Sequence, residues 1–224
     1  MPKRVDPDAR REQIADAVIE EIVAHGLRSV TLARIAARTG LAIGSIRHYF
    51  GDTVREVMRF TLGVLIQRLV RRDVTLSDDP ATRIADVITF AAPTNEQERK
   101  ENIAFVEYRV MARTDPEFAA DIAATSLAGA ELTRSLLRDA LADRMIDEEA
   151  LHHEALLLFT LIEGFSFSSA LVSTPLLKAD VHAAVTASTH RLLNAYPSSE
   201  GAVERAAGDP AAPGDHPGTR PTGH

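Results

Sequence analysis

No cysteine occurs among the 224 residues. Disulfides, Cys-ligated zinc, iron–sulfur clusters and thiol catalysis are therefore excluded together, and a reducing compartment is compatible with the chain. No apolar run approaches the roughly 20 residues that span a bilayer, so no membrane partner is expected. The start, Met1 to Asp6, has no apolar stretch behind its charges, and no secretory signal is expected there. An intracellular, cytoplasmic protein is the resulting expectation. Sustained period-two alternation is missing, as are Asn-Gly and Asp-Gly turns, so a sheet has no sequence support. There is no Gly-rich phosphate loop and no Gly-x-Ser-x-Gly around Ser166, Ser168 or Ser169, which argues against an enzyme. His152 and His153 are adjacent and face different ways on a helix, which suits one metal ion poorly. Neither a metal nor a cofactor is expected.

What is present is a hydrophobic fraction of 45%, enough for a substantial core. The net charge is −7, but residues 1–60 carry 10 basic and 8 acidic side chains while the remainder carries 15 and 24. A polyanion-binding module fits only at the N-terminus. Just three of the 25 basic residues are Lys, and Arg is the better bidentate ligand of phosphate and guanine. The abundance of Ala beside it points equally to a GC-rich coding sequence.

Helical periodicity runs throughout. Arg10 to His25 places Ile14, Val18 and Ile22 at four-residue intervals, and Gly26 follows as a stop. Thr31 caps a short helix to Thr39, ended by Gly40. A third spans about Ile43 to Tyr49, and Asp52 is the expected cap of a fourth to about Arg72. Further starts lie at Asp79-Pro80, after Pro93-Thr94-Asn95, at Asp115-Pro116 (a helix to about Asp143) and at Asp147. A last helix covers about Lys178 to Ala195. The expected fold is all-α, with about nine helices. Residues 197–224 hold five Pro and five Gly, no aromatics and one branched aliphatic, Val203, so a disordered tail is expected there.

Residues 31–50 form a helix-turn-helix pattern. Small Ala36 permits close helix crossing, Gly40 permits the turn and Leu41 plugs the corner. Ile35, Leu41, Ile46 and Phe50 then share a small core with Ile14, Val18 and Ile22. With Ile46 and Phe50 inward, Ser45, Arg47 and His48 point outward. In such a motif the second helix enters the major groove of double-stranded DNA. Arg47 can fork onto guanine O6 and N7, and His48 can reach a base or the backbone. Thr31, at a helix N-terminus, can meet a phosphate, and Gly44 permits close backbone approach.

The Thr31 start, Ile35-Ala36, Gly40-Leu41 and Gly44-Ser45-Ile46-Arg47-His48-Tyr49-Phe50 together resemble the TetR family of bacterial transcriptional repressors over about residues 8–60. The run from Tyr108 through Asp115-Pro116 to Glu163-Gly164-Phe165 is similar to the regulatory half of the choline-responsive subgroup. Three positions depart from the family pattern. Ala42 stands where Ser or Thr often caps the recognition helix, Arg47 replaces a Tyr, and Thr53 replaces a Lys, with Arg55 close by.

The resemblance implies a helix-turn-helix domain over 1–52 and a helical regulatory and dimerisation domain over 53–196. It implies DNA contacts from Thr31, Arg34, Gly44, Ser45, Arg47, His48, Tyr49 and Thr53, with Tyr49 on phosphate. It also implies a small-molecule effector in a pocket, for which the candidates are Phe90, Phe105, Tyr108, Met111, Phe118, Phe159, Glu163 and Phe165. A homodimer through a four-helix bundle is implied as well, with Phe167, Leu171, Val181, Val185 and Leu192 as candidate contacts and a near-palindromic operator as the matching DNA. The resulting expectation is a repressor released by its effector. An effector-free architectural DNA binder is the alternative, and an enzyme or carrier using the helical part alone is a further one.

Overall fold

The computed structural model describes residues 6–72, 75–90, 92–171 and 178–196. The tail expected over 197–224 lies outside the described residues. Among those residues the chain forms nine α-helices, one short 3-10 turn and no strand.

Helix α1 (Pro7–His25) starts earlier than Arg10 because the Asp6 side chain accepts from the Asp8 N–H and Pro7 fills the first turn. It stops at Gly26, whose φ of 80° lets its N–H reach Ile22 O at 2.7 Å. After the turn Leu27–Ser29 come α2 (Leu32–Thr39) and α3 (Ile43–Phe50), separated by Gly40 in the left-handed conformation. Helix α4 (Val54–Val70) is capped by Thr53, not by Asp52. Thr53 has Glu56 three residues on, so the two make a reciprocal capping box, whereas Asp52 has no such partner and its side chain stays in solvent.

Helices α5 (Pro80–Phe90), α6 (Glu96–Ala112), α7 (Pro116–Ala140), α8 (Glu148–Ala170) and α9 (Lys178–Ala195) follow. Asp79, Asn95, Asp115 and Asp147 each accept a backbone N–H at the start of a helix. Helix α7 ends three residues short of Asp143, at a turn whose Leu141 is buried against the end of α5 and α8.

Two cores result. The first joins Ile14, Val18 and Ile22 to Ile35 and Ile46, continues through Val57, Leu62 and Leu65 of α4, and closes on Tyr108 and Phe118. The second joins Ile84 and Ile88 to Leu137, Leu151, Leu158, Val185 and Leu193.

Helix α6 holds the first core from one side. The Tyr108 hydroxyl donates to Met58 O at 2.8 Å, Glu107 accepts from the Leu27 N–H at 3.2 Å and Lys100 meets Glu20 at 2.6 Å. Arg68 of α4 bridges Asp16 of α1 at 2.8 Å and Glu101 of α6 at 3.1 Å. Lower down, Arg55 pairs with Asp115 and Glu117 at the start of α7.

Candidate functional site

The exposed face of α3 consists of Ile43, Gly44, Ser45, Arg47 and His48, with Ile46 fully buried behind it. The alternation follows from the helical repeat, which sends 46 and 50 to one side and 45, 47 and 48 to the other. Arg47 is about half exposed and has only a long 3.8 Å approach to Asp52, so its guanidinium is available. A Cβ on Gly44 would meet nothing within 4 Å, so no neighbour inside the chain demands glycine there. Tyr49 is half-buried, packs on the first core and lies edge-on to His48 at 5.4 Å. Ala42 caps α3 without a side-chain hydrogen bond.

Thr31 and Thr53 flank this face as the N-caps of α2 and α4. Each hydroxyl oxygen accepts a backbone N–H, from Arg34 at 3.2 Å and Glu56 at 3.4 Å, which leaves each O–H free to donate outward.

Arg34 is placed differently from its neighbours. Its guanidinium is held by Glu21 of α1, which also takes Arg38 at 2.7 Å, the Ser29 hydroxyl at 3.1 Å and His25 at 3.0 Å. The Glu21 side chain is only 3% exposed. Burial alone would raise its pKa, but the bonds from Arg34, Arg38 and Ser29 and the charge of His25 outweigh that and hold it at about 2. Glu21 thus pins α2 to α1 and fixes the angle at which α3 is presented. No sequence motif marks Glu21. The only signal is an acidic residue on the α1 stripe that also carries Ile14 and Val18.

A cavity of about 450 Å3 lies between α4, α5, α6, α7 and α8. Phe90, Phe105, Phe159 and Glu163 line it. Four other candidates do not. Tyr108 and Phe118 pack against each other, 5.5 Å between ring centres, in the first core, and Met111 packs there too. They sit on the side of α6 and α7 that faces α1 and α4. Phe165 is buried but turned away from the cavity, since 159, 162, 163 and 166 form the inward stripe of α8. Lining residues not anticipated include Leu65, Ile66 and Leu69 of α4, Asn102, Gly129, Leu132 and Ser166. Gly129 carried a readable signal as a glycine inside a long helix. A Cβ there would come within 2.9 Å of Phe159 Cε2, so its absence lets the ring lie back against α7. Glu163 is ion-paired with Arg109 in the cavity wall.

On the outer side of α8, His153, Leu157, Thr160, Gly164, Phe167 and Leu171 recur at alternating intervals of four and three and are all exposed. That is the spacing of a helix–helix seam. Phe167 and Leu171 lie on it. On α9, by contrast, Val185 belongs to the second core, and Val181 and Leu192 pack half-buried against it. The outward residues of α9 are alanines, among them Ala183, Ala184 and Ala187, and polar residues such as Asp180, His190 and Arg191. The larger aliphatic side chains of α9 are needed inside against α5, which leaves small and polar ones outside.

Residues 14–53 match the family model described as bacterial regulatory proteins, tetR family, and residues 80–194 match that of the BetI-type transcriptional repressor, C-terminal. The chain belongs to the TetR family. Its N-terminal helices and its later helices each match their part of that family. Among curated relatives it is 30% identical over 116 residues to the HTH-type transcriptional regulator PksA of Bacillus subtilis, covering 50% of this chain and 56% of that protein. It is 36% identical over 91 residues to the regulator BetI of Burkholderia cenocepacia, covering 39% and 47%. The chain thus spans about half the length of the curated relatives it matches.

Solved structures share the fold over most of the chain. A transcriptional regulator from Rhodococcus sp. superposes with a TM-score of 0.68 at 22% identity, covering 83% of this chain and 97% of that one. A regulator from Saccharomonospora viridis, solved in complex with choline, gives 0.65 at 15% identity, covering 80% and 94%. Among the described residues of this TetR protein, no helix is long and apolar enough to cross a membrane.

Proposed function

We propose that this chain is a repressor that binds a near-palindromic operator as a homodimer and leaves it when a small molecule fills the cavity. The observation that carries the reading is the position of α6. Asn102, Phe105 and Arg109 on one side of it line the cavity, while Lys100, Glu107 and Tyr108 on the other grip α1, the turn after it and α4. A ligand that shifts this helix shifts the head, which is the physical requirement for coupling two sites.

Arg47 reads a guanine, with Ser45 and His48 beside it, and the hydroxyls of Thr31, Thr53 and Tyr49 meet phosphates. Arg34 serves through its bond to Glu21. The α8 stripe supports a two-fold dimer: a glycine inside a helix costs about 1 kcal/mol relative to alanine, and a Cβ on Gly164 would meet nothing within 4 Å in its own chain. Close approach of a second copy gives that glycine a reason.

Gel-shift titration on the DNA upstream of its own gene tests the reading. One protected inverted repeat, with one chain per half-site, is expected. Sequence-indifferent binding that no cavity ligand alters would overturn it.

A further inference from the structure

The cavity is of a size that takes a drug-sized molecule, and its walls are mostly aliphatic and aromatic. Four ionisable side chains reach it among the described residues, two Arg and two Glu, and they are matched in pairs. Arg109 is paired with Glu163, their side chains about a quarter and a third exposed. At the other end Glu101 receives Arg68 at 3.1 Å, Gln97 Nε2 at 3.0 Å and Arg72 at 3.7 Å.

Of the five uncharged polar residues in the wall, four direct their hydrogens into the chain, and Ser126 is the fifth. Thr125 and Thr133 donate to carbonyls of their own helix, each at 2.9 Å. Asn102 Nδ2 donates to Ser166 O at 2.9 Å, and the Ser166 hydroxyl donates back to Asn102 Oδ1 at 3.0 Å.

A cation entering such a site must draw Glu163 away from Arg109 and strand a guanidinium against apolar walls. An anion must do the converse. Breaking this partly shielded ion pair leaves one charge uncompensated beside an apolar wall, which disfavours the exchange in either direction. An uncharged molecule breaks no pair and gains from covering the apolar wall.

We infer that the Arg109–Glu163 pair acts as a charge filter and that the effector is an uncharged, mainly apolar molecule, an inference that rests on the cavity being the effector site. The filter has a distinctive consequence. Removing one partner opens the site to ligands that carry the charge of the lost side chain.

The full chain is titrated with phenylnaphthylamine (an uncharged apolar fluorophore), with choline and with decanoate, following fluorescence, thermal shift and release from operator DNA. The fluorophore should bind and weaken the operator complex, while choline and decanoate at millimolar concentration should neither bind nor compete. Glu163→Gln should raise decanoate affinity at least tenfold, and Arg109→Gln should do the same for choline. The double variant should hold the fluorophore within about threefold of wild type, since a tenfold loss would mean more than 1 kcal/mol of binding came from the charges.

Leu132→Trp, which plugs the mouth of the cavity, separates the two levels of the argument. Choline or decanoate binding to wild type and lost in Leu132→Trp would overturn the filter and leave the cavity as the effector site. The same holds if the single variants gain no charged ligand. No binding of the fluorophore, or binding that Leu132→Trp leaves unchanged, would overturn the effector-site reading and the filter with it.

Discussion

Replacing Glu21 by Gln should weaken the head in a way that depends on pH. An ordinary glutamate titrates near 4.5, and this one is held at about 2. A gap of that size corresponds to roughly 3 kcal/mol at about 1.4 kcal/mol per pH unit. Water reaches the partners, however, since Arg34 and His25 are about half exposed, and that screening brings the working figure to about 1–2 kcal/mol. The sign follows from a folded-state pKa below the unfolded one. The stabilisation is complete above about pH 5 and is lost as pH falls through 4.5 toward 2, where Glu21 takes up a proton in both states. The Gln variant cannot ionise, so its stability lacks this component at every pH.

Urea unfolding of both proteins at pH 7, 5 and 3.5 gives the comparison, with helix content by circular dichroism as the readout. The wild type should be more stable at pH 7 by about 1–2 kcal/mol, equivalent to roughly 2–8 °C in Tm for a chain of this size. The two should converge as the solution is acidified. A difference that stays constant from pH 7 to 3.5, or no difference at neutral pH, would refute the reasoning that the Glu21 charge is what holds α2 on α1.

Arg47→Ala should weaken operator binding by about 1–3 kcal/mol and random DNA much less; equal weakening on both, with the salt slope reduced by about one, would reassign Arg47 to phosphate. Phe167→Glu places an unpartnered charge in the α8 seam and should leave monomer in light scattering; a surviving dimer would put the interface elsewhere. Tyr108→Phe removes a second donor to Met58 O, which keeps its intrahelical N–H partner, and should cost about 0.5–1.5 kcal/mol in thermal unfolding. A neutral result would mean that packing and the Arg68–Glu101 pair suffice to hold α6 to α4.

Helix starts were legible because caps are local chemistry. Asp79, Asn95, Asp115 and Asp147 each need only the next few residues to act. The miss at Asp52 has the same origin, since a neighbouring Thr with Glu at the right spacing competes better. The outward face of α3 was readable too, because one short helix with two buried anchors has a single way to lie. The cavity was half readable. Aromatic side chains mark helices that bury something, but not which of two buried faces they serve, and α6 has both. Phe105 faces the cavity and Tyr108, three residues later, faces α4. The arginine partners of Glu21 and Glu163 lie 13 or more residues away in sequence, and pairing at that distance is fixed only by how the helices pack.

The two-sided duty of α6 divides the cavity wall into positions of unequal freedom. A substitution at Asn102 or Phe105 also disturbs the helix that steadies α1 and the turn behind it, so it alters what is sensed and what is read together. Ala128, Gly129 and Leu132 sit in the middle of α7, beyond Phe118 and Ile122, the residues of that helix that pack on the first core. On the proposed reading, changes there reshape the effector cavity and leave the contacts of α6 with α1 and α4 in place. With the cavity as the proposed effector site, a sensor re-engineered from this scaffold would keep its operator by changing that one stretch of α7.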